Sequence, residues 1–265
     1  MPTTDLAEYK VTRKFPDGLI KSPSFLEGSF GTDVFAAYDQ ARREDYQGNS
    51  NLRLQMREGV VVGSTFFDTV LVQQLIRNGS VQGNPRTASL KDLSDPEILE
   101  MVRGKYYIES QGLALRSTTD SLNARNTPLA INLVERLGVD ESRLQREPAL
   151  LTGFELKDWS NHLGDSYGLV LVPEAGKESF GVVRSDKLTS KYDGWWFTKV
   201  DENGIPFDLS RGKQSKEARR WFTRKDGLSR LGLDGGLDLG SDWYGLDDSY
   251  SSGRVVVLSG EATDA

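Results

Sequence analysis

The chain contains no cysteine and a single histidine, His162. A disulfide scaffold and a cysteine-ligated zinc site are thereby excluded. One histidine leaves a Ser-His-Asp triad with a single candidate base, and it essentially excludes a zinc site built from His and Cys. The residues around it, Trp159 to Asp165, read as a loop between strands, with His162 in a structural or exposed position. No apolar run approaches the ~18–20 residues needed to cross a bilayer. Met1 to Lys14 alternates polar and charged residues and holds no apolar secretion core. With neither an export signal nor cysteine, the cytoplasm is the expected location and no membrane partner is expected. The glycine-rich dinucleotide fingerprint and the phosphate-loop Gly-Lys-Ser/Thr signature are also missing, and no cofactor is expected.

What is present is ordinary for a globular protein. Hydrophobic residues make up 37% and charged ones 27% of 265 residues, too apolar a balance for a disordered chain. That length suits one large domain or two small ones, and either can bury a core unaided. The net charge of −6 disfavours a wholly basic nucleic-acid binder, but the charge is uneven. Residues 211–230 hold eight basic side chains against two acids, a net +6; residues 231–265 hold seven acids against one arginine, a net −6. Adjacent blocks of opposite sign can neutralise each other.

The first part reads as helices alternating with short strands. Thr32 is placed to cap a helix through about Asp45, with Val34, Phe35, Tyr38 and Ala41 on its apolar face. Gly59-Val-Val-Val-Gly63 is a buried strand, after which Ser64 caps a helix that Gly79 stops. Ser94-Asp-Pro-Glu97 has capping-box spacing. Tyr106–Ile108 and Leu113–Leu115 are predicted as two strands, and Thr127-Pro128 opens a helix closed by Gly138. Beyond about Leu150 the pattern turns to strands: Leu150–Leu156, Tyr167–Val172, and a hairpin from Gly194 to Leu209 turning at Asn203-Gly204. Pro206 places the second arm of that hairpin on an edge. Leu231-x-Leu233 and Leu237-x-Leu239 flank a second turn, and Arg254–Leu258 forms a late strand. All five tryptophans lie in this part. The expected fold is α/β: an alternating unit over 1–148 and a β-rich, Trp-containing unit over 149–265, which can share one sheet and form a single domain.

Four clusters can carry chemistry. Ser64 and Thr65 sit at a strand-to-helix junction; Arg116 and Ser117, with Thr118, Thr119 and Asp120, follow another strand. Hydroxyls, an arginine and backbone N–H groups together can hold a phosphate or carboxylate; the plainer alternative is a helix cap and a polar loop. Glu155 and Lys157, two apart on a strand, share a face. Such a Glu-x-Lys pair resembles that of many metal-dependent nucleases, which add an acidic residue upstream, commonly after proline. Here Asp140 follows Val139 instead, and Glu135 can add a carboxylate. The resemblance implies a Mg²⁺ ion with Glu155, Lys157 and Asp140 as catalytic groups; the alternative is a cross-strand ion pair.

The third cluster is the basic block. Arg219, Arg220, Arg224 and Lys225 can track phosphates while Trp221 stacks on a base, and a helix over Gln214–Thr223 would gather the arginines on neighbouring faces. The alternative is a solvated helix anchored by Trp221 and answered by the acidic tail. The fourth, Asp234, Asp238, Asp242, Asp247 and Asp248, fits no calcium-loop pattern and reads as turn residues. Trp195 and Trp196 point to opposite faces of their strand, one toward the core and one free to act as a platform. The leading expectation is a non-catalytic binding protein that meets nucleic acid or another polyanion through 211–230, with an acidic protein as a further possible partner. A Mg²⁺-dependent nuclease or phosphodiesterase and a protein-interaction module are the alternatives.

Overall fold

The computed structural model describes residues 22–79, 84–160, 166–242 and 245–259. The expectations for Met1–Lys14, His162 and Trp243 lie outside the described residues.

A two-residue strand, β1 (Ser24–Phe25), leads into helix α1 (Gly28–Glu44). The expected cap, Thr32, lies a full turn inside this helix, where its hydroxyl donates back to the Gly28 carbonyl at 2.8 Å. The helix starts early because Gly28 adopts a φ of 64° and Gly31 lets the backbone of Leu26 pass where any Cβ would overlap it. Val34, Ala37, Tyr38 and Ala41 form its buried stripe. A hairpin follows, β2 (Gln55–Arg57) and β3 (Val60–Val62), turning at Glu58-Gly59 with φ of 50° and 78°. Thr65, not Ser64, then caps helix α2 (Phe66–Asn78). Its hydroxyl accepts from the Asp68 N–H while the Asp68 carboxylate accepts from the Thr65 N–H at 2.9 Å.

The short β4 (Arg86–Thr87) precedes α3 (Pro96–Val102), which Asp95 caps and Pro96 opens. The two strands expected next are one continuous strand, β5 (Tyr107–Leu115). Helix α4 (Asn126–Leu137) ends at Gly138, whose φ of 59° gives a left-handed stop. Asp140 caps the short α5 (Glu141–Arg146).

From there the chain is strands and turns. The strand expected over Leu150–Leu156 is split by Gly153, at a φ of 75°, into β6 (Ala149–Thr152) and β7 (Phe154–Asp158). Next come β8 (Leu169–Pro173), β9 (Gly181–Arg184) and β10 (Trp195–Phe197). The helix expected over Gln214–Thr223 is absent; Arg219–Phe222 is a strand, β11. Then β12 (Leu228–Leu233) and β13 (Leu239–Gly240) pair antiparallel around the expected turn, and β14 (Gly253–Arg254) and β15 (Val256–Leu258) follow.

One ten-stranded mixed sheet organises the fold, in the order β10-β11-β13-β12-β5-β14-β3-β2, with β6 and β9 branching from β5. The branch arises because β5 is long: on one edge its first residues pair with β14 and its last with β6, while β12 lines the other edge. Strands from both halves of the chain thus share this sheet, as expected of an α/β fold. Side chains alternate along β5, so Leu113 and Leu115 join a core with α1, α2 and α4, while Ile108 and Ala114 join a second core with α3 and Trp221. Two smaller sheets, β1-β15-β4 and β7-β8, complete the structure. Among the described residues no helix is long and apolar enough to cross a membrane.

Candidate functional site

The basic block is built as a strand pair rather than a helix, and this decides which of its charges reach solvent. Strand β11 pairs antiparallel with β10, setting Trp195 opposite Trp221, Trp196 opposite Arg220 and Phe197 opposite Arg219. Alternation sends Arg219 and Trp221 inward and Arg220 outward. Trp221 is fully buried and donates its indole N–H to the Lys187 carbonyl at 2.7 Å. Arg219 lies over the Phe197 ring at 4.8 Å and donates to Ser94 Oγ at 2.8 Å and the Leu93 carbonyl at 3.3 Å. Arg224 is buried in an ion pair with Asp120 and also donates to the Asp226 and Leu228 carbonyls. Lys225 is exposed on the following turn. Of the five residues singled out from the sequence, Arg220 alone stands on the aromatic surface.

Other residues of the block join it there. Ser210 and Trp196 exchange backbone hydrogen bonds of 2.7 and 2.8 Å, which lays the 210–213 segment beside β10. The Lys213 ammonium sits 5.1 Å from the Trp196 ring centre and the Arg220 guanidinium 4.8 Å from it. Arg211 lies 5.4 Å from the ring of Trp195, which packs partly into the core and edges against Tyr192. Each is at cation–π range. The outward tryptophan is therefore Trp196, held between two exposed cations. Among the described residues no carboxylate comes within 4 Å of Arg211, Lys213, Lys216 or Arg220. Asp238, in the field of Arg220, accepts from the Arg220 backbone N–H at 2.7 Å, and burial raises its pKa; Glu217 lies in the field of Lys213. The signal in the sequence was the alternation Arg219-Arg220-Trp221 opposite Trp195-Trp196; the spacing of arginines obscured it.

Of the acidic tail, Asp238 lies beside this surface, in the field of Arg220 and Arg219. Asp247 bonds Arg53 and Arg125, at 3.0 and 2.9 Å, and Asp248 faces Arg230. Asp242 lies in the field of Arg116 and Arg224, its pKa raised by burial. These acids answer arginines scattered through the whole chain.

The other predicted clusters have internal partners. Arg116 is fully buried and spends its donors on the Leu188 carbonyl at 2.6 Å, Ser229 Oγ at 2.7 Å and the Ser241 carbonyl and hydroxyl at 2.9 and 2.8 Å. Ser117 Oγ accepts from the Gly227 N–H and donates to the Thr119 carbonyl. Asp120 supplies that loop's own anion, accepting from the N–H groups of Leu122 and Asn123 at 3.0 Å each. Ser64 and Thr65 are equally buried and lie at the other end of β5, where Tyr107 Oη donates to the Ser64 carbonyl at 2.7 Å. The four residues expected to form one anion site are not brought together.

Glu155 and Lys157 do meet, at 3.7 Å. Asp140 has no contact with either; it is exposed and bonds Ser142. Arg77 stands between Glu155 and Glu174, paired with both, and the Ala175 N–H also donates to Glu155. A guanidinium thus fills the place that Mg²⁺ would need, and the residues do not fit that ion. Among the described residues no group of three or more His, Asp or Glu side chains is placed to hold a metal.

Comparison with known proteins finds no matching family model, no matching curated protein and no matching solved structure.

Proposed function

We propose that this chain is a non-catalytic, cytosolic binding protein for single-stranded nucleic acid, with the β10–β11 face as its contact surface. The observation that carries the reading is Trp196 between Arg220 and Lys213, with no carboxylate among the described residues within 4 Å of either cation. A phosphate backbone supplies the missing anions, and displacing their counterions favours binding. A base can slide onto the indole as the cations swing to the phosphates, and each such stack is worth about 1–3 kcal/mol. Arg211 and Lys216 extend the positive track along the same segment. A single strand fits better than a duplex, because stacking on Trp196 needs an unpaired base.

The test is a titration of labelled oligothymidine against the intact protein at two salt concentrations. Three phosphate contacts on a single strand give a slope near −2, so raising salt from about 50 to about 200 mM weakens binding by about 20-fold. The double substitution Trp196→Ala, Arg220→Ala is expected to lower low-salt affinity by at least about tenfold. Absence of binding at low salt, or an unchanged affinity in the double variant, rejects the proposal.

A further inference from the structure

A cavity of about 650 Å³ opens between the start of β5, the β12–β13 turn and the 248–252 loop. Its lining combines three tyrosines, Tyr106, Tyr107 and Tyr250, with Arg230, Asp234 and Asp248. Pockets of this size, with a few polar groups among aromatic walls, are where small ligands bind. We infer that this cavity binds a small aliphatic ammonium, with Asp234 and Asp248 as its counter-charges and Tyr250 as its aromatic contact.

The charge of the cavity points to that class. Its floor is a buried ion pair: Arg230, 3% exposed, bonds Glu109, 2% exposed. Glu109 stands on the same face of β5 as Tyr107. Its second oxygen, Oε2, is buried and accepts no hydrogen bond among the described residues. Arg230 is thus matched before Asp234 and Asp248 are counted. It has further partners besides, donating to the Asp248 carbonyl at 3.2 Å and lying 5.9 Å from the centre of the Tyr107 ring. Lys105, also on the lining, is exposed and makes no ion pair among the described residues, so solvent screens its charge. Three carboxylates therefore face one buried guanidinium. Such an excess of negative charge, partly withdrawn from water, favours a ligand that brings positive charge.

Both lining carboxylates can receive a donor. Asp234 Oδ1 accepts from the Asp238 N–H at 2.9 Å, which fixes the group on its turn; a carboxylate has room for several donors. The Asp248 side chain is 42% exposed, and its Oδ2 lies 4.0 Å from Arg230 Nη2, too far for a hydrogen bond. The two stand on different elements, so a diamine has a carboxylate for each end. The aromatic wall agrees, since an ammonium favours the face of a ring. Tyr106 already carries Arg254 at 4.3 Å, and Tyr107 faces Arg230. Tyr250 is 61% exposed, meets Tyr107 edge-on at 5.9 Å, and has no described cation over its ring. Its loop is tied down: the Tyr250 N–H donates to Tyr107 Oη at 3.1 Å, and the Tyr107 N–H donates to the Ser252 carbonyl at 3.3 Å. A divalent metal, which takes six or more oxygens, is a poorer match, because no group of three acidic or His side chains among the described residues is placed to hold one.

The experiment is a calorimetric titration of the intact protein at pH about 8, above the value of about 7 to which burial pushes Glu109. The ligands share one carbon chain and differ in charge: butane-1,4-diamine, butane-1,4-diol and succinate, with Mg²⁺ as a further comparator. At low salt the diamine is expected to bind with a Kd at or below about 1 mM, at least about tenfold tighter than the diol, and succinate is expected not to bind. Asp234→Asn and Asp248→Asn keep the shape and remove the charge, and each should weaken the diamine by about tenfold. Tyr250→Ala should weaken it by about threefold. Trp196→Ala should leave it unchanged. Thermal melting shows which variants fold, and the charge series on the unaltered protein decides even where one does not. The chain is acidic overall, and diffuse attraction to it would survive both Asn substitutions; that outcome overturns the inference. So does the absence of diamine binding up to about 10 mM, equal binding of the diol, or binding of succinate or Mg²⁺ in place of the diamine.

Discussion

Asp68 shows how much one buried side chain can be asked to do. Its carboxylate closes the capping box of α2, accepts from the Arg53 N–H at 3.0 Å and from Tyr38 Oη at 2.5 Å, and is fully buried. Burial pushes its pKa up to about 6 against the pull of those donors; Glu109 is likewise pushed up to about 7 by burial, against Arg230. A carboxyl whose folded pKa lies above its unfolded value takes up a proton on folding. Its stabilising share is whole below the unfolded value and is lost as pH rises through the folded one. The unfolding free energy should therefore fall between pH about 4 and pH about 7. Urea denaturation at closely spaced pH values measures this, and Asp68→Asn should flatten the part of the slope below pH about 6. A stability that rises steadily across that window would contradict the assignment. None of this was legible beforehand, because Asp68 reads as one more acid in a helical first turn; only burial singles it out.

Among elements, helix ends separate what the sequence can say from what it cannot. The stop at Gly138 was readable because a left-handed residue is a local requirement. So was the run of valines in β3. The start of α1 was not: Thr32 has the chemistry of a cap, but the tight passage of Leu26 past Gly31 begins the helix a turn earlier. Thr65→Ala should cost about 1 kcal/mol or somewhat more, since it removes a working cap, whereas Thr32→Ala should stay within about 0.5 kcal/mol. Thermal or urea unfolding of the two variants distinguishes them, and equal losses would refute the assignment of caps. The same limit explains β11. Charged residues at helical spacing suggested a helix, but pairing with β10 on one side and β13 on the other outweighs local propensity. Neither partner is near in sequence terms that a local pattern can register. The candidate site shifted with it: Arg220 stayed on the surface, Arg219 and Trp221 went inside, and Lys213 and Trp196 took their places.

Across the whole molecule the two halves of the chain are interlocked. The Asp201–Gly204 turn of the Trp-bearing segment lies against Leu90 and Lys91, and Gly204 has a φ of 84°. A Cβ there would overlap the Leu90–Lys91 backbone. Gly204→Ala should destabilise by about 2 kcal/mol or more, through strain and overlap together. Denaturant unfolding checks this, and it should proceed in one transition, since strands of both halves share a sheet. An unchanged midpoint would show that the turn is not seated as described. The α/β class and the shift toward strands after Leu150 were visible in composition and period. The branching of the sheet at β5 was not, because it depends on which distant segments find the two ends of one strand.

The strand pair β14–β15 sits between β5 and β3 in one sheet and between β1 and β4 in another. Both sheets lack their middle until residues 253–258 arrive. On a ribosome, then, a growing chain cannot settle as it emerges: the facing edges of β3 and β5 stay exposed until residues 253–258 have followed. They must remain unpaired with wrong partners for that whole interval, so the pairing of β3 and β5 through β14 waits on a segment about 140 residues or more further along the chain.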